Sequence, residues 1–272
     1  MPLDVSPVPQ ALRDAAYNNG AAVPSWSGTF ARWTEEGLTH RRRHSETMDL
    51  AFGPKERQKI DLYPAQDPLA PCLVYFHGGY WQRNSRDMFA VLGEGVAAHG
   101  WSVAMPGYTL APEASLAEIV EEVGMALDWL STAGRRHGVA GPLIVSGWSA
   151  GGHLAALALA HPAVASGLAL SGIFDLGPLK ETYLDAALKL TAAEIADLSP
   201  FRRPAVMKPL AIAYGGNELP SLVGQSEGFY AQRRRAGAPG AKIVVEGADH
   251  FTVLNALRSP EGALTAALLD LV

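Results

Sequence analysis

The apolar positions of this chain fall into eight short runs that predict strands: 46–52 (ETMDLAF), 58–63 (QKIDLY), 72–76 (CLVYF), 101–105 (WSVAM), 142–146 (PLIVS), 167–173 (GLALSGI), 209–214 (PLAIAY) and 241–246 (AKIVVE). The later runs are almost continuously apolar instead of alternating, as strands covered on both faces require. Between the runs, residues 86–98, 114–133, 150–160 and 221–236 have helical spacing. In the second of these, Leu116, Ile119, Val120, Val123, Leu127 and Leu130 recur three and four apart, one buried stripe of a helix. Strand and helix in alternation predict an α/β protein, its sheet mostly parallel and its crossover helices on both faces.

Two stretches depart from this rhythm. Residues 1–45 contain "YNNG", "VPSWSG" and "ARWTEEG", which predict short helices and turns packed over the site of a single domain spanning 1–272. Residues 177–205, "GPLKETYLDAALKLTAAEIADLSPFRRPA", are helical and hold no strand. They predict an inserted pair of helices, a small cap over the C-terminal edge of the sheet, where α/β sites lie. An ordinary long crossover is the competing reading.

Composition narrows the function. With 272 residues, 48% of them hydrophobic, the chain can bury a sizeable core. A net charge of −5 argues against a nucleic-acid partner. The one dense basic run, His40-Arg41-Arg42-Arg43-His44, reads as a solvated edge and lacks a carboxylate partner for a metal. A single cysteine, Cys72, excludes an internal disulfide and reads as a small core residue. The N-terminus has no basic region followed by an apolar one, and no apolar run is long enough to cross a membrane. The expectation is a soluble cytoplasmic protein without membrane or nucleic-acid partners, acting on a small molecule.

Chemistry enters at "LIVSGWSAGGHLAALAL". Gly147-Trp148-Ser149-Ala150-Gly151 is a Gly-x-Ser-x-Gly pattern between an apolar strand and an Ala/Leu-rich helix, the context of a nucleophile elbow. The strained turn would lift the Ser149 hydroxyl to the top of the sheet, and the glycines leave room for the close packing around it. A serine hydroxyl needs a base. His250, in "VVEGADHFTVL" just past the last strand, fits by position, whereas the other histidines precede the elbow or lie along the helix after it. Glu218, in "LAIAYGGNELPSL", is the expected acid; Asp175 in "SGIFDL" and Asp249 beside the histidine are its rivals. An oxyanion needs preorganised N–H donors. Ala150 would supply one, and His77-Gly78-Gly79 after the third strand would supply others, with Gly78 and Gly79 baring backbone and His77 bracing the loop. No dinucleotide fingerprint, phosphate loop or zinc-helix motif occurs, so no cofactor and no metal are expected.

Together "HGGYWQ", "GYTLAPEASLAEIV", "GWSAGGHLA", "SGIFDLGPL" and "GADHF" resemble the α/β-hydrolase type of kynurenine formamidase (arylformamidase), within the hormone-sensitive-lipase-like esterases. The likeness runs from about residue 45 to the end and takes in the N-terminal "AYNN" and the 177–205 insertion. It implies an α/β-hydrolase fold with an eight-stranded, mostly parallel sheet and a small helical cap. The family's nucleophile falls on Ser149, its histidine on His250 and its acid on Glu218, where an aspartate is common. The resemblance further implies a homodimer and a place in tryptophan catabolism, releasing formate and kynurenine from N-formylkynurenine. Tyr80, Trp81 and Trp148 are expected to bind the aryl group; for Trp81, packing beneath the N-terminal segment competes. Many esterases share the HGG and Gly-x-Ser-x-Gly motifs, so a carboxylesterase acting on short-chain or aryl esters is the alternative. A non-catalytic ligand-binding protein on the same scaffold is a third reading, and the retention of both Ser149 and His250 speaks against it.

Overall fold

The computed structural model describes residues 8–272. The first seven residues of the predicted N-terminal segment lie outside the described residues. Eight strands form one sheet: β1 (Leu50–Ala51), β2 (Lys59–Tyr63), β3 (Cys72–Phe76), β4 (Ser102–Pro106), β5 (Leu143–Trp148), β6 (Val164–Leu170), β7 (Leu210–Gly215) and β8 (Lys242–Val245). Their order is β1-β2-β4-β3-β5-β6-β7-β8. The β1–β2 and β2–β4 pairs are antiparallel and every other pair is parallel.

Helices α1 (Gln10–Ala15), α2 (Asn19–Ala22) and α3 (Trp26–Arg42) precede the sheet. They are followed by α4 (Glu94–Ala97), α5 (Leu116–Ala133), α6 (Ala150–Ala158), α7 (Asp185–Leu188), α8 (Ala192–Leu198), α9 (Pro220–Arg235), α10 (Asn255–Arg258) and α11 (Ala263–Leu269). Ser115 caps α5 reciprocally with Glu118, each side chain taking the other's backbone N–H.

The strand pleat divides the core in two. Cys72, Val74 and Phe76 of β3 pack with Ile119 and Leu127 of α5, Leu154 of α6 and Phe229 of α9. Leu73 and Tyr75 point the other way, towards Phe30 and Trp33 of α3, Phe89, Leu257 of α10 and Leu264 of α11. Because helices cover both faces, β3 to β7 contain no outward polar row, which accounts for their continuous apolar sequence.

Four elements differ from the sequence expectation. The predicted strand 46–52 shrinks to Leu50–Ala51, with a helical turn at Ser45–Thr47. The buried Asp61 carboxylate takes the Asp49 N–H at 2.9 Å, and Asp49 adopts φ +56°, so the chain leaves extended geometry there. Asp61 also receives Arg41 at 2.8 Å and Arg86 at 3.1 Å. Arg41, read as part of a solvated edge, is therefore an anchor for buried charge. The 86–98 segment is mostly 3-10 helix (Arg86–Gly93) before α4. The 177–205 segment is four short helical pieces, namely Gly177–Glu181, α7, α8 and Pro200–Arg202. Finally, α3 is a single 17-residue helix where the sequence predicts short helices and turns. No helix among the described residues is long and apolar enough to cross a membrane.

Helix α3 docks on the Arg86–Gly93 segment by burying Phe30, Trp33 and Gly37. At Gly37 the two backbones meet: a Cβ there would run into the Asp87 carbonyl oxygen. Gly37→Val is expected to lower unfolding stability by about 1–3 kcal/mol through overpacking. Urea denaturation reads this as a lower midpoint, and an unchanged midpoint would show that α3 is not held at this contact.

Candidate active site

Strand β5 ends at Trp148 and α6 begins at Ala150, so Ser149 alone makes the turn, at φ +59° and ψ −118°. A side chain in that region is strained by roughly 1–3 kcal/mol. The surroundings hold it there. Its N–H donates to the Leu170 carbonyl of β6 at 2.9 Å, and its carbonyl accepts from His153 N–H at 3.1 Å. A Cβ on Gly147 would strike the Gly151 carbonyl, and one on Gly151 would strike the Phe76 carbonyl. The two motif glycines are thus required by close approach between β3, β5 and α6.

His250 and Glu218 come from the loops after β8 and β7. Glu218 Oε2 lies 2.8 Å from His250 Nδ1, both groups buried. The other carboxylate oxygen accepts the Ser171 hydroxyl at 2.5 Å and the Gly215 N–H at 2.6 Å. Three hydrogen-bond partners fix the orientation of this buried carboxylate. With Nδ1 on the carboxylate, Nε2 is the imidazole nitrogen left to serve as base. Trp148 lies against the His250 ring at 4.8 Å and donates its Nε1–H to the His250 carbonyl at 2.7 Å. The rival acids are engaged elsewhere. Asp175 pairs with Arg202 at 2.8 Å, and Asp249 accepts the N–H groups of Phe251 and Thr252, each at 2.8 Å.

The loop after β3 is braced from within. His77 Nδ1–H donates to the Gly78 carbonyl at 2.9 Å, and the Tyr108 hydroxyl donates to the His77 carbonyl at 2.7 Å. The two rings stack at 4.2 Å. Burial pushes the His77 pKa down to about 3, so the ring is neutral and serves the loop, not proton transfer. Asn84 Nδ2 also donates to the Gly78 carbonyl, at 3.0 Å. Gly79 sits at φ +124°, and a Cβ on Gly78 would strike the Trp148 ring. Among the described residues, the N–H groups of Gly78, Gly79 and Ala150 donate to no protein acceptor.

A cleft joins these parts, with Ser149, His250 and Gly79 in its wall. Its aromatic lining is Trp26, Phe30, Tyr80, Trp148, Tyr183 and Phe251. Tyr80 and Trp148 were expected here; Trp81 was too, and it does not reach the cleft. It is fully buried, edge-on to the His153 ring at 4.9 Å, because its φ of +57° turns it under the loop into the core. Sequence reasoning missed Ser171, Arg83 and the α3 aromatics. The available signals were the polar residue after the apolar run of β6 and the "SWSGTF" stretch that opens α3. Burial pushes the Cys72 thiol up to about 12, consistent with an inert core residue. Among the described residues no group of three His, Cys, Asp or Glu side chains could hold a metal.

His77 and His153 give the fold a pH signature. Burial lowers His77 to about 3 and His153 to about 4, from an ordinary 6.5. Above 6.5 both rings are neutral in the folded and unfolded states, so their contribution is constant. Below it the unfolded chain takes up protons that the folded protein refuses, and stability falls as pH drops from 6.5 towards 4. Circular dichroism melts should show a falling Tm across that window. His153→Gln, which retains a donor for the Leu198 carbonyl that His153 Nε2 contacts at 2.7 Å, should flatten the fall. A variant with the wild-type slope would leave His153 without a share in it.

A sequence profile described as the alpha/beta hydrolase fold matches residues 73–251. A kynurenine formamidase of Danio rerio is 30% identical, over 88% of this chain and 86% of its own length. One from Salmo salar is 28% identical over the same shares. The crystal structure of a candidate thioesterase from Silicibacter sp. TM1040 superposes with a TM-score of 0.85 at 28% identity, covering 94% of this chain and 98% of that one. The chain is a hydrolase and belongs to the α/β-hydrolase fold family, in the branch that holds the kynurenine formamidases.

Proposed function

We propose that this chain is a serine hydrolase that releases formate from a small aryl formamide of the N-formylkynurenine type, yielding the arylamine kynurenine. The observation that carries the reading is the Glu218–His250 contact at 2.8 Å beside a cleft that Ser149 also lines. Formyl specificity comes from the formamidases this chain is similar to, and the aromatic walls of the cleft favour an aryl substrate. Trp26 and Phe30 of α3 and Tyr183 of the 177–205 segment line the same cleft, so both segments act as its cover.

In this reading the Ser149 oxygen attacks the formyl carbon while His250 Nε2 takes the hydroxyl proton. Glu218 fixes the imidazole tautomer and stabilises the imidazolium. The oxygen of the tetrahedral intermediate lies among the N–H groups of Gly78, Gly79 and Ala150, each such donor contributing about 3 kcal/mol to transition-state stabilisation. His250 returns its proton to the leaving nitrogen, the C–N bond breaks and the arylamine departs. Water then loses a proton to His250 and attacks the formyl-serine. Formate leaves, and Ser149 recovers its hydrogen.

Three substitutions separate the roles. Ser149→Ala should abolish labelling by a fluorophosphonate and reduce turnover by roughly 10⁴-fold or more. Glu218→Gln should cost about 10²–10⁴ in kcat. Asp175→Asn should stay within about tenfold of wild type, because its carboxylate serves Arg202. Steady-state kinetics checks all three, and a larger loss at Asp175 than at Glu218 would reverse the choice of acid.

A second reading, hydrolysis of short-chain or aryl esters, is favoured by the likeness to the candidate thioesterase. Measuring kcat/KM for N-formylkynurenine and p-nitrophenyl acetate side by side distinguishes the two. The formamidase reading expects the formamide to be preferred by about tenfold or more despite its less reactive carbonyl. A clear preference for the ester would replace it with the second reading.

A further inference from the structure

The cleft holds one fixed charge that has no counter-ion among the described residues. Arg83 lines it, and no Asp or Glu does. Among the described residues, Arg83 makes no ion pair, and its guanidinium donates no hydrogen bond to another group. Nearby arginines are all occupied. Arg57 donates to the Tyr108 and Asn84 carbonyls at 2.9 and 2.5 Å. Arg86 sits on Asp49 and Asp61, and Arg202 on Asp175.

The backbone carrying Arg83 is fixed relative to the chemistry. Its N–H donates to the Gly79 carbonyl at 3.2 Å, closing the turn that sets Gly79 at φ +124°. The next residue, Asn84, is tied to the Gly78 carbonyl at 3.0 Å. The guanidinium is therefore tethered one short turn from the N–H groups assigned to the oxyanion. Its charge reaches the cleft: burial pushes the Tyr80 and Tyr183 phenols up, and Arg83 pulls both the other way. Tyr80 and Tyr183 line the same space.

An arginine left unpaired beside an otherwise neutral, aromatic cleft matches a planar anion such as a carboxylate, which it can hold through two parallel N–H donors. We propose that Arg83 binds a carboxylate of the substrate and so selects aryl formamides that carry a carboxylate several bonds from the formyl carbon. The proposal rests on the formamidase reading for the reacting group. It adds the side chain that reads the carboxylate at the far end of the substrate, which that reading does not assign.

The test compares wild type with Arg83→Gln and Arg83→Lys on N-formylkynurenine and on N-formylkynurenamine, which lacks the carboxylate. Arg83→Gln should lower kcat/KM for N-formylkynurenine by about 10–100-fold more than for N-formylkynurenamine, mostly through KM. Arg83→Lys, which keeps the charge, should recover part of that difference. Equal losses on both substrates, or no loss on the acid, would overturn the proposal. A second arm measures inhibition of p-nitrophenyl acetate hydrolysis by kynurenine and by kynurenamine. If neither formamide is turned over, the formamidase reading fails and this arm still judges Arg83. Kynurenine inhibiting wild type about tenfold more strongly than Arg83→Gln, with no such gap for kynurenamine, supports the carboxylate site. Inhibition that ignores Arg83, or no inhibition at all, removes it.

Discussion

The site depends on one close approach, the packing of the first turn of α6 against the end of β3. Gly151 lies so near the Phe76 and His77 carbonyls that any side chain there would separate the two elements. That contact leaves a single residue, Ser149, to reverse the chain between β5 and α6 at a positive φ. It also delivers the start of the His77-Gly78-Gly79 loop to the same point, where Gly78 in turn has no room for a Cβ beside Trp148. The elbow and the loop therefore hold each other in place. Strain at Ser149 is small beside the apolar area that β3, β5 and α6 bury around it, which is why the turn persists.

Buried charge follows from the same geometry. A carboxylate removed from water needs donors or an opposite charge. Glu218 has the Gly215 N–H, the Ser171 hydroxyl and the His250 ring, three donors from the ends of β6, β7 and β8. Ser171 reaches it because β6 ends at Leu170 and Ser171 takes φ +51°, turning out of the strand. Asp175 lies further along that chain and meets Arg202 instead. Histidines without a carboxylate resolve burial the other way, and His77 and His153 stay neutral. One protein thus places three buried imidazoles in two different roles, decided by whether an acid is within reach.

Elements buried on both faces were legible in the sequence, because continuous apolar runs such as "CLVYF" and "LIVSGW" leave little choice of structure. The elbow and its base were legible because their spacing has a mechanical cause. What escaped has an equally physical origin. β1 is two residues long because Asp61 captures the Asp49 N–H, a long-range event that local pattern does not carry. α3 buries only Phe30, Trp33 and Gly37, too sparse a stripe to announce a 17-residue helix. Trp81 was placed in the cleft because it adjoins Tyr80. Both residues have positive φ, and in that kinked stretch adjacency says nothing about which ring faces inward. Ser171 carries no motif at all; its importance appears only once Glu218 is beside it.

The chemical and the recognition parts of the cleft are drawn from different stretches of chain. The α/β-hydrolase profile covers 73–251, which contains Ser149, Glu218, His250 and the glycine loop. Asn18, Asn19, Trp26 and Phe30, which line the same cleft, lie outside it. They are attached to the sheet through α3, whose docking surface is the Arg86–Gly93 segment immediately following the glycine loop. A change in the N-terminal helices can therefore reshape what the cleft accepts while the elbow, braced by β3 and α6, keeps its geometry. The reverse does not hold. Moving β3 against α6 would disturb Ser149, the loop and, through Phe89 and Phe30, the N-terminal part of the lining together. Reaction type is consequently the harder property to alter in this fold, and substrate range the easier one.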